Sequence, residues 1–185
     1  CTTWIDLVCQ LSPALLVPLL DAYDSAYFDL EHVVRAAKER RVYDAYLWCL
    51  DRLGRTHEAM DALDALVTHM AQNTQMALDA SIDATTDSEA ECIHEQTRQE
   101  FDYLHMAVLM SVRLCVEHTT VPNATVDDAR ELWFRVLRAL MQLEHSLVPL
   151  YASKHGPLQT YVLKQSRALT QEALTTLITT VPSDM

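Results

Sequence analysis

The residues that suit metal chemistry best are Glu91 and His94, three positions apart, and Asp102 and His105 at the same spacing. Di-iron helical bundles use acid and histidine pairs of this kind from two different helices. Here both pairs fall on one predicted helix, about 16 Å apart along its axis. Because one metal pair cannot be enclosed over that distance, we interpret these side chains as exposed. A metal-dependent helical enzyme using Glu91 and His94 is an alternative.

Other charged groups favour contact surfaces over catalysis. Asp79, Asp83 and Asp87 recur every four residues, without the glycine and the alternating acids of a calcium loop. We interpret them as one acidic helix edge, which a basic partner can meet. The densest group of cations is Arg35, Lys38, Arg40 and Arg41. It suits a helix C-terminus, and the alternative is a contact for an acidic partner or a lipid headgroup.

Motifs for enzymatic chemistry are missing from the sequence. It has no Gly-x-Ser-x-Gly turn, no His-Glu-x-x-His pair and no glycine-rich phosphate loop. Only two glycines are present, which leaves few positions for a backbone anion site. We therefore predict that the chain is not an enzyme and has no catalytic residue, cofactor, metal or small-molecule substrate.

Composition and charge narrow the class of protein further. The formal net charge of −12 argues against nucleic-acid binding, which needs a basic surface to neutralise phosphates. With this charge, an anionic membrane also repels the chain as a whole. Hydrophobic residues make up 50% of the chain, enough for a core. We expect a single helical segment over residues 1–185.

The five cysteines are widely spaced and form no Cys-x-x-Cys pair: Cys1, Cys9, Cys49, Cys92 and Cys115. Their odd number and apolar neighbours predict reduced, buried thiols in a cytosolic protein. No signal peptide or membrane span is visible. Because the sequence begins with Cys1 rather than Met, we interpret it as a fragment of a longer protein.

The spacing of apolar residues predicts seven or eight antiparallel helices and no strand. We expect helices over residues 2–11, 13–23 with a kink at Pro18, 30–41 with Asp29 as N-cap, and 89–118, with an acidic break over 81–90. Two further helices are expected, one opened by a capping box of Thr125 and Asp128 and one opened by Pro157. With helices only, we predict an all-α fold. Because the helix lengths are unequal, we expect this fold to be an irregular α-solenoid of helical hairpins.

The clearest element is a helical hairpin over residues 42–70. Gly54 is placed to supply the left-handed residue that ends the first helix. Thr56 is predicted to cap the second helix. The second helix carries a predicted buried stripe of Ala59, Leu63, Leu66, Val67 and Met70.

Trp133 and Phe134 are unusual because adjacent residues point to different sides of a helix. We expect one to fill the core and the other to pack against a neighbouring helix, with a partner interface as the alternative. The residues that we predict as an interaction surface are Trp133, Phe134, Asp83, Asp87, Glu91, Arg40 and Arg41.

Several segments resemble a known family. Residues 46–59, which contain Leu53-Gly54 and Glu58-Ala59, resemble the helical repeats of clathrin heavy chain and of vacuolar sorting tethers. The segments 6–13, 41–45, 132–141 and 163–170 resemble, in that order, the helical region of the vacuolar protein sorting-associated protein 8 family.

This resemblance implies a scaffold segment of CORVET, a complex that tethers endosomal membranes and supports vesicle fusion and transport to the vacuole or lysosome. It implies contacts with other tether subunits and a cytoplasmic location, peripheral on the endosome membrane. The family also has a propeller, a RING domain and a contact with an endosomal Rab GTPase. No residue of this sequence corresponds to any of the three. A coat or nuclear-pore-type helical scaffold is the alternative.

Overall fold

The computed structural model describes residues 2–23, 27–84, 86–120, 126–148 and 156–180. Within these ranges the regular structure is entirely helical, which confirms the predicted all-α class. The helices are α1 Thr2–Leu11, α2 Leu16–Ala22, α3 Leu30–Glu39, α4 Tyr43–Arg52, α5 Thr56–Asp83, α6 Asp87–Thr120, α7 Val126–Leu147 and α8 Pro157–Thr180.

The helices pack in an order typical of a solenoid. From α4 onward, each helix packs on the one before it, and α4, α6, α7 and α8 also contact the helix two steps back. In addition, α8 reaches α5. A new helix therefore lies against the one or two that precede it, and the predicted irregular, solenoid-like character is confirmed.

The segment after α1 differs from the expected kinked helix. A 3-10 helix over Pro13–Leu15 precedes α2, and Pro18 lies in the first turn of α2. A proline in the first turn removes an N–H that has no partner within the helix, so it does not kink the helix. The break therefore lies before Leu16 rather than at Pro18.

Both ends of α3 are set by local interactions. The Asp29 carboxylate accepts a hydrogen bond from the backbone N–H of His32 at 3.2 Å, which confirms the predicted N-cap. At the other end, Arg41 has a φ of 58° and lies outside the helix. The Val42 N–H donates to the Ala37 carbonyl at 2.9 Å, which completes a Schellman motif. The prediction that α3 includes Arg41 was wrong.

Gly54 ends α4 in the same way, with a φ of 74°. The Arg55 N–H donates to the Leu50 carbonyl at 2.9 Å, so the predicted glycine cap is confirmed. Thr56, however, is not the N-cap of α5. It is the first helical residue, and its hydroxyl donates to Asp51 Oδ1 at 2.7 Å.

The core follows the predicted stripe on α5 and continues along α6. All five residues of the α5 stripe are buried, as are Phe101, Leu104, Val108 and Val112 of α6. The acidic break between α5 and α6 is shorter than expected, because α5 continues to Asp83 and α6 begins at Asp87. Thr125, the predicted capping residue, lies outside the described residues.

A ring of polar contacts joins α2, α4 and α6. Asp21 accepts a hydrogen bond from Trp48 Nε1 at 3.0 Å and pairs with Arg113 at 2.7 Å. Arg113 also contacts Glu117 at 2.8 Å, and Glu117 pairs with Arg52 at 3.0 Å. The Arg52 guanidinium lies 5.0 Å from the centre of the Trp48 ring. This ring fixes how α2 lies on the α4–α6 pair.

We predict that Gly54→Val lowers the free energy of unfolding by about 1–2 kcal/mol or more, because a side chain strains the left-handed backbone. A Cβ at Gly54 meets no atom within 4 Å, so the cost comes from the backbone rather than from a clash. Gly54→Asn is the matched control, since Asn adopts this conformation more easily, and we expect a loss below about 1 kcal/mol. Urea unfolding measures both variants, and equal losses would contradict the assigned conformation.

Candidate functional site

The Trp133-Phe134 pair is divided between the core and the surface. Trp133 is buried, and its Nε1 donates to Thr119 Oγ1 of α6 at 3.2 Å. Phe134 is 70% exposed, so the expectation that it packs against a neighbouring helix was wrong. Of this pair, only Phe134 is exposed on the surface. Trp133 lies in the core and therefore does not belong to the predicted interaction surface.

Arg135, which the sequence analysis did not single out, joins α7 to α5. Only 13% of its side-chain surface is exposed. Its guanidinium donates to the His57 carbonyl at 3.3 Å and to Asp64 Oδ2 at 3.0 Å, and it also pairs with Asp61. The partners lie more than 70 residues away in sequence, so spacing along the chain gave no signal for this contact.

The predicted acidic residues lie near the α5–α6 turn. Asp83, Asp87 and Glu91 are exposed, as predicted for a solvated edge. Glu89 lies among them and lines a shallow depression together with Asp83. The structure thus brings together the acidic members of the predicted surface, and their role in binding stays a prediction.

The acid and histidine pairs of α6 do not converge. The His94 ring lies 6.0 Å from the ring of Tyr161, and His105 Nε2 lies 3.5 Å from a carboxylate oxygen of Glu172. Glu91 and Asp102 are exposed. Within the part of the chain that the structure describes, no three His, Cys, Asp or Glu side chains are placed to hold a metal ion.

The predicted basic residues gather at the C-terminal end of α3. Arg40 and Arg41 are exposed, and the left-handed turn directs Arg41 to α6, where it contacts Glu100 at 3.5 Å. Glu100 also accepts a hydrogen bond from Asn73 of α5 at 3.1 Å. The ammonium of Lys38 lies 5.8 Å from the centre of the Tyr46 ring.

A groove along the α5–α6 seam runs between the basic and acidic residues. The end near α3 carries both cations and acids and is lined by Lys38, Glu39, Arg41, Tyr43, Tyr46, His69 and Tyr103. Glu100 lines both this end and a middle section of about 290 Å³, which Met70, Thr74, Ala77, Ala80 and Ile93 help to form. Ala80 and Ile93 also line the acidic end. Adjacent sections thus share lining residues, and the three form one continuous depression. We refer to it as the seam groove.

The cysteines follow the prediction with one exception. Cys9, Cys49 and Cys115 are buried and free, whereas Cys92 is free and exposed. Cys1 lies outside the described residues. Burial raises the pKa of the Cys49 and Cys115 thiols to about 12, so both stay protonated and unreactive at neutral pH.

None of the described helices combines the length and the apolar character that crossing a bilayer requires.

We predict that Arg135→Met destabilises the protein by about 1–3 kcal/mol, because Asp64 loses a charged hydrogen-bond donor in a partly buried setting. Arg138→Met is the matched control. Arg138 contacts the same Asp64 oxygen at 3.4 Å, but 68% of its side chain is exposed, so we expect a loss below about 1 kcal/mol. Thermal and urea unfolding measure both, and equal effects would contradict the structural role of Arg135.

We predict that iodoacetamide at pH 8 labels Cys92 in the native protein while Cys49 and Cys115 are protected. Their raised pKa and burial keep them as inaccessible thiols until the fold opens. Peptide mass spectrometry with and without denaturant measures each site. Native labelling of Cys115 as fast as that of Cys92 would contradict the packing of α6.

Comparison of the chain with models of protein families, with curated proteins and with solved structures found no match in any of the three.

Proposed function

We propose that this chain is a non-enzymatic helical scaffold segment of an endosomal tethering complex similar to CORVET. In this role it supports vesicle fusion and endosome-to-vacuole or lysosome transport by holding other tether subunits. The proposal places the chain in the cytoplasm, peripheral on the endosome membrane. It assigns no Rab GTPase contact to any residue of this sequence.

The observation that supports this proposal most is the packing of helices against the one or two that precede them. Stacking of this kind gives a stiff body whose surface is wide relative to its core, which suits protein binding rather than enclosure of a substrate. The Leu53-Gly54 hairpin, on which the family resemblance depends, lies in the middle of this stack and has the cap geometry that such a repeat needs.

Charge is distributed in a way that agrees with partner binding. The exposed acids near the α5–α6 turn and the exposed cations at the end of α3 lie on separate parts of the surface. Two regions of opposite sign can orient a partner as well as attract it. The exposed ring of Phe134 adds an aromatic group of the kind that is enriched at protein interfaces.

We predict that the tagged chain recovers the other tether subunits from cytosol. Quantitative mass spectrometry should find these subunits in similar amounts. The matched control is the Arg135→Met variant, which tests whether recovery needs α7 to be correctly placed on α5. A bait that is helical and melts cooperatively yet recovers no tether subunit would contradict the proposal. Recovery of coat or nuclear-pore subunits instead would assign the chain to another scaffold.

Metal analysis of the purified protein tests the non-enzymatic part of the proposal separately. Iron, manganese or zinc at stoichiometric level, lost in a Glu91→Gln/His94→Ala variant, would contradict it and favour a metal-dependent enzyme.

A further inference from the structure

We draw no further inference here: the strongest candidate, the exposed apolar face of α7 that carries Phe134 and Met141, carries none because the neighbouring Arg138 already pairs with Asp64 and nothing in the structure shows what covers this face.

Discussion

Burial of one apolar stripe on α5 is the interaction on which the rest of the structure depends. The stripe from Ala59 to Met70 is buried, and α5 contacts α4, α6, α7 and α8. Helices of this length gain most of their stability from such packing rather than from intrinsic propensity. Because α5 is shared by four neighbours, a change in its packing reaches every helix from α4 onward.

Polar contacts then set how the helices lie on this stripe. Arg135 connects α7 to Asp64 of α5, and Asp21 connects α2 to Trp48 of α4 and Arg113 of α6. Apolar packing alone permits sliding between helices, whereas directed hydrogen bonds to charged groups specify one arrangement. The exposed charges and the seam groove are therefore held in fixed relative positions, which is what a scaffold requires of its binding surfaces.

Several features that depend on neighbouring residues were predictable from sequence, although the predicted Thr56 cap and Pro18 kink were wrong. Features that depend on distant helices were not predictable. The Asp29 cap and the left-handed Gly54 follow from local backbone chemistry, and both are confirmed. The helix count and the α5 stripe follow from apolar spacing. Exposure of Phe134 and Cys92 depends on which helices meet, and so does the contact of Arg135 with α5. The seam groove depends in the same way on how α5 and α6 meet, because residues of both helices line it.

Native-state hydrogen exchange tests the central role of α5 most directly. Backbone amides between Leu63 and Met70 should open only when the whole protein unfolds, so their exchange free energy should equal the free energy of global unfolding from urea. Amides of α1, which packs at the edge of the stack, should exchange at lower free energy. Exchange of the α5 amides at a free energy equal to or below that of α1 would contradict the account.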